Sequence, residues 1–169
     1  MEMKKEEKWH VIYTRSRHEK ILAEQLSEAG FTVYLPLITR ETKWSDRKKI
    51  VEEPLFKSYL FIKEVCDKAL FKDYKSFVAM VTYNGKPAVV WQREINTLKS
   101  IIKHGYDVAE LINSEEIEKG SKVMIMGGPL KGMTGELISV EDKDCFVIHF
   151  ENIGNSLLVK IPSKILKKI

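Results

Sequence analysis

The chain has 169 residues, 44% of them hydrophobic and 31% charged, the balance of a soluble globular protein with one ordinary domain or two small ones. No apolar run approaches the ~20 residues of a membrane span, and the charged start MEMKKEEKWH has no apolar signal core, so it reads as a frayed tail and not a secretory signal. The net charge of +4 is uneven, +6 over residues 1–105 and −2 over residues 106–169, which fits either a solvated basic surface or contact with a polyanion such as nucleic acid.

In chain order, WHVIYTR reads as a strand. Ser16-Arg17-His18-Glu19 has the spacing of a capping box, with Ser and Glu satisfying orphan N–H groups at a helix start. Ile21, Leu22, Leu26 and Ala29 then fall near one helical face, and Gly30 supplies a left-handed stop. FTVYLPL (31–37) predicts a strand at a sheet edge, because Pro36 cannot donate to a ladder. Residues 38–53 are polar and basic, an exposed ribbon. LFKSYLFI (55–62) predicts a strong strand, Cys66 to Tyr74 a short helix, and FVAMVTY (77–83) a strand ending in an Asn84-Gly85 turn. Gln92 to His104 predicts a helix through Ile95, Leu98, Ile101 and Ile102, ended by Gly105. This order is that of a split βαβ in an α/β sandwich.

Residues 106–116 turn acidic without a clear pattern and are taken as a linker. Beyond it lie four short strand patterns, KVMIM, TGELISV, CFVIHF and SLLVKI, separated by turns, which predict a small β-barrel. The loop in KVMIMGGPLKGMTGEL (122–137) has two glycines at P-loop spacing, Gly127 and Gly132. Met133 stands where a phosphate-binding Lys is required, Pro129 removes an N–H, and a strand follows instead of a helix, so a phosphate cradle is excluded in favour of a tight bend. The cysteines Cys66 and Cys145 are isolated and form no CxxC, which points to a reducing cytoplasm with neither disulfide nor zinc site. Four lone histidines without HExxH, GxSxG or paired metal spacing give no enzyme signature, and no cofactor or metal is expected.

Gly120, Val123, Gly128-Pro129, Gly132 and Gly135 resemble the motif of a KOW domain, an SH3-like barrel. WHVIYTRSRHEK (9–20), EPLFKSYLFI (53–62) and NGKPAVV (84–90) resemble the NGN domain of the NusG family of transcription elongation factors. LPLITRETKWSDRKKIVEEPLF (35–56) is most similar to the specialised paralogues, antiterminators on long operons such as those for capsular polysaccharide. The expected fold is therefore α+β: an NGN domain over 8–105, a linker over 106–116 and a KOW domain over 117–169.

The resemblance implies a cytoplasmic, monomeric, non-enzymatic factor that docks on the clamp helices of RNA polymerase, suppresses pausing and reads the non-template DNA strand. Its KOW domain would bind a ribosomal protein or another factor. It places Tyr13, Phe56, Tyr59 and Phe61 in the polymerase pocket, a role open beside ordinary core packing; Lys57 departs from the family's usual Pro there. Arg17, His18 and Lys75 match the DNA-facing edge, and Lys43, Arg47, Lys48 and Lys49 cluster around Trp44 in the ribbon, where solvated charge is the competing reading. In the KOW turn, Ile153 and Asn155 replace an aromatic and an Arg that the general factor uses to recruit the termination factor Rho, while Gly154 is kept. A ribosomal-protein contact, which depends more on a strand edge and apolar residues, is compatible with Ile153, Gly154 and Leu157 at these positions. An RNA-binding or ribosome-associated KOW protein is the alternative, and the acidic balance of residues 106–169 opposes it.

Overall fold

The computed structural model describes residues 5–112, 120–140, 143–150 and 155–169. By its contacts the chain divides into two compact units, 1–92 and 93–169, whereas the sequence reading placed the boundary at 105.

In the first unit, β1 (Lys8–Thr14) pairs antiparallel with β5 (Tyr59–Lys63), and β5 pairs antiparallel with the edge strand β2 (Val33–Tyr34). β1 and β2 therefore run parallel with β5 between them and helix α1 (Glu19–Glu28) connecting them, a split βαβ. The other edge of β1 takes β6 (Phe77–Met80) at one end and β9 (Val90–Trp91) at the other. Pro36 ends β2 after two residues. The chain then leaves the sheet as a separate ribbon, β3 (Leu37–Trp44) against β4 (Arg47–Pro54), eight cross-strand pairs long. A second small hairpin, β7 (Thr82–Tyr83) with β8 (Lys86–Pro87), turns through Asn84 and Gly85, both at positive φ as a type I′ turn requires.

One sheet face presents Ile12, Leu60 and Ile62 to Leu22 and Leu26 of α1 and to Phe71, all fully buried. Phe71 belongs to a 3₁₀ turn (Lys68–Phe71), shorter than the expected helix and capped by Asp67, whose Oδ1 accepts from the Ala69 N–H.

The helix start differs from expectation. The helix begins at Glu19, with His18 as N-cap and no side-chain cap, so Ser16 and Glu19 do not form a capping box. Glu19, Leu22 and Leu26 form the buried stripe, while Ile21 is 47% exposed and Ala29 lies beyond the last helical residue. Ile21 sits one residue, about 100° of helix rotation, off that stripe.

The second unit contains α2 (Gln92–Lys103) from Arg93 onward, with Ile95, Leu98 and Ile101 buried. It also contains a six-stranded antiparallel sheet of β10 (Val108–Ile112), β11 (Ser121–Ile125), β12 (Thr134–Val140), β13 (Lys143–Phe150), β14 (Asn155–Val159) and β15 (Leu166–Lys168), ordered β10-β14-β13-β12-β11-β15. Cys145, Phe146 and Val147 are consecutive and all buried, so β13 is covered on both faces, as in a small barrel and not an open sheet. A Cβ on Gly135 would lie 2.5 Å from the Val147 carbonyl and 2.6 Å from the Phe146 ring, so the strands close only around a glycine there.

β10 falls inside the stretch 106–116 read as linker: residues 108–112 are a strand paired along all of β14. Its local pattern is weak, and its order comes from the hydrogen-bond partners that the β14 edge supplies. The glycine loop between β11 and β12 bonds to itself. Lys131 N–H donates to the Gly128 carbonyl, Gly132 N–H to Ile125 and Met133 N–H to Leu130, and Gly128 and Gly132 take positive φ. Those three N–H groups are turned onto the loop's own carbonyls, which fits a tight bend.

Candidate functional site

The strand β5 opens with Tyr59, directly across from Tyr13 on β1, and the two rings meet edge to face at 6.0 Å. Tyr13 is 43% exposed and Tyr59 partly buried, so this pair forms an aromatic surface. Phe61, two residues along the same face, is fully buried, as is Phe56. Phe56 packs edge-on against Phe61 at 6.0 Å, and Tyr34 stacks on Phe61 at 6.4 Å. Burial pushes the Tyr34 phenol up to about 12, so it stays neutral at physiological pH. The four predicted aromatics thus form two edge-to-face pairs: Tyr13 and Tyr59 reach the surface, and Phe56 and Phe61 make a fully buried floor. Tyr34 was missed, because nothing in the local pattern VYLPL distinguishes a floor residue from an ordinary strand residue.

The turn that leads into Tyr59 is strained. Tyr59 N–H donates to the Phe56 carbonyl at 3.4 Å, and Ser58 between them has φ +66°, the third position of a type II turn, which favours Gly. Two bonds hold Ser58. Its N–H donates to Glu19 Oε1 at 2.8 Å, and its carbonyl accepts from Thr14 N–H at 2.8 Å.

A second edge lies where α1 begins. Arg17 has φ +64° and is exposed. His18 Nδ1 and Ser76 Oγ are hydrogen-bonded at 2.9 Å, and Arg15 N–H donates to the Ser76 carbonyl at 2.9 Å. Ser76 is buried and follows the exposed Lys75. The two predicted segments, 58 residues apart in sequence, therefore meet at one edge through Ser76.

The ribbon β3–β4 spans seven residue steps, about 24 Å at strand rise, and ends in Trp44, which is 64% exposed. Lys49 Nζ lies 5.7 Å from the Trp44 ring centre, Lys43 pairs with Lys48 across the strands, and Arg47 faces Trp44. Glu41 pairs with Lys48 at 3.4 Å, whereas Lys43 and Arg47 have no ion-pair partner among the described residues.

In the second unit, Leu157 is fully buried opposite Ile148, so it belongs to the core and not to a partner-facing surface. Ile153 and Gly154 lie outside the described residues. Both cysteines are free thiols, Cys66 exposed and Cys145 buried. Among the described residues, no helix is long and apolar enough to cross a membrane, and no group of three His, Cys, Asp or Glu can hold a metal ion.

A split-βαβ unit with an outward aromatic pair and a small β-barrel unit define a two-domain α+β protein. The family described as "Transcription termination factor nusG" matches residues 7–99, and the KOW motif matches residues 119–150. The chain belongs to the NusG family. A solved structure titled "Domain interaction in Thermotoga maritima NusG" is similar in fold, with a TM-score of 0.56 and 15% identity over 96% of this chain and 97% of that one.

Proposed function

We propose that this NusG-family elongation factor is a specialised antiterminator that docks on the RNA polymerase clamp helices through Tyr13 and Tyr59, supported from beneath by Phe56 and Phe61. The observation that carries this reading is the edge-to-face tyrosine pair left at the surface of the first unit. Aromatic anchors on a firm floor are what a groove for an amphipathic helix requires. Arg17, His18 and Lys75 contact the non-template strand, and the ribbon tip with Lys43, Arg47 and Lys48 adds phosphate contacts. The barrel recruits a ribosomal protein or another factor, with Ile153 and Gly154 in its partner-facing turn, and the protein acts as a cytoplasmic monomer.

Two experiments test the reading. Genome-wide mapping of the protein on transcribed DNA separates a specialist from a general factor: peaks confined to one or a few operons support specialisation, and uniform occupancy refutes it. A polymerase pull-down beside an RNA shift assay separates the elongation factor from an RNA-binding KOW protein.

A further inference from the structure

We propose that Glu19 is a positioning residue whose carboxylate holds the Phe56–Tyr59 turn in its strained form and so presents the aromatic docking surface. This rests on the docking role assigned above to Tyr13 and Tyr59. Glu19 is the first residue of α1 yet only 5% exposed. A carboxylate there would ordinarily stay in water and favour the helix's own N–H groups. Here it reaches 39 residues along the chain to accept the Ser58 N–H, while α1 has no side-chain cap at all. Burial of a carboxylate is costly unless a strong donor faces it, and hydrogen bonds to ionised acceptors are the strong ones.

Ser58 explains why the clamp is placed there. Its φ of +66° is a left-handed conformation that disfavours every residue with a Cβ. Such a conformation persists only where the surroundings over-determine it. Thr14 N–H holds the carbonyl side of Ser58, and Glu19 holds the amide side. Release of the amide side frees Ser58 to relax to negative φ. That relaxation changes the path from Phe56 to Tyr59 and breaks the register that sets Tyr59 against Tyr13.

Glycine at position 58 accepts positive φ without a clamp, which gives the test an internal rescue. Affinity for core RNA polymerase and hydrogen exchange of the Ser58 amide are measured in the full chain. Glu19→Ala is expected to lose about tenfold in affinity, as the loss of one strong hydrogen bond implies, and to speed Ser58 exchange. Glu19→Gln keeps an acceptor oxygen but gives up the charge, so its loss falls between wild type and Glu19→Ala. Ser58→Gly placed in the Glu19→Ala background restores binding. Unchanged affinity and unchanged Ser58 protection in Glu19→Ala overturn the proposal, as does a folded double variant that is not rescued. Should Glu19→Ala fail to fold alone, folding recovered by Ser58→Gly supports the clamp, and failure in both backgrounds overturns it. If wild-type protein does not bind polymerase, the docking assignment fails, while amide exchange still decides whether Glu19 holds the turn.

Discussion

Replacing both Tyr13 and Tyr59 with Ala should abolish polymerase docking while leaving the fold intact. The choice of residues follows from burial. Phe56 and Phe61 are fully buried, so their truncation costs about 3–5 kcal/mol of fold stability, and any binding loss would be confounded with unfolding. Tyr13 is 43% exposed, and the principal contact it shares with Tyr59 is one edge-to-face pair, worth about 0.5–1.5 kcal/mol. As anchors of a helix-binding surface, each ring is expected to contribute about 2 kcal/mol, so each single variant loses roughly thirtyfold in Kd, and the simple sum for the double variant would be roughly a thousandfold. Because the rings touch, the two single variants should not be additive, and a double-mutant cycle measures the coupling. The assay is an equilibrium titration of core RNA polymerase, run beside thermal denaturation of each variant. A folded double variant that binds within about threefold of wild type, a difference under 1 kcal/mol, refutes the docking assignment.

Three further outcomes are expected. Arg17→Ala and Lys75→Ala should erase preference for the target pause site without equal loss at other sites, as footprinting of paused complexes will show; a uniform loss would mean phosphate contact alone. His10 is buried with its Nδ1–H donating to the Ala88 carbonyl at 3.1 Å. Burial, helped by nearby Lys8 and opposed by the Ala88 bond, lowers its pKa below 6.5, so the unfolded state binds the proton more readily. Stability is full above about pH 6.5 and falls as pH drops from there toward the lowered folded value, a loss that denaturation midpoints should show blunted in His10→Gln. With Ile153 and Asn155 in place of an aromatic and an Arg, added Rho should gain no termination from this protein in a transcription assay, and the fragment 115–169 should give β-type chemical shifts.

The sequence exposes those features that depend on local pattern. The short apolar run WHVIYTR, the Asn84-Gly85 turn and the amphipathic stretch after Gln92 emerge as elements of the expected type, whereas FVAMVTY, read as one strand, is split into β6, which ends at Met80, and β7, which pairs with β8 in a separate hairpin. The basic run 38–53 emerges as the exposed ribbon for the same reason: its alternation has no apolar face to bury. What stayed hidden depends on partners distant in sequence. β9 and β15 are two and three residues long and exist through pairing with β1 and β11. β10 is ordered by β14, whose edge it covers. Which aromatics face outward is equally non-local. Tyr59 and Phe61 share a strand face, and only the packing of Phe56 and Tyr34 onto Phe61 buries one and leaves the other accessible. The Ser-x-x-Glu motif misled because Ser58, not the helix, holds the better donor for Glu19.

The segment that carries Glu19 organises the first unit. Between Tyr13 and Glu19 the chain makes one connection after another to distant parts of the fold. Tyr13 meets Tyr59, Thr14 N–H holds the Ser58 carbonyl, Arg15 N–H holds the Ser76 carbonyl, His18 bonds Ser76 Oγ, and Glu19 holds the Ser58 amide. Two of the backbones involved, at Arg17 and Ser58, lie at positive φ. A strand-to-helix connection could satisfy its own groups with a local cap at lower conformational cost. This one gives its groups to the turn that carries Tyr59 and to the strand that follows Lys75. The tyrosine surface and the Arg17–His18–Lys75 edge are consequently set by the same seven residues. A change at Ser76 acts first on the edge, a change at Ser58 acts first on the tyrosines, and only the segment between Tyr13 and Glu19 reaches both.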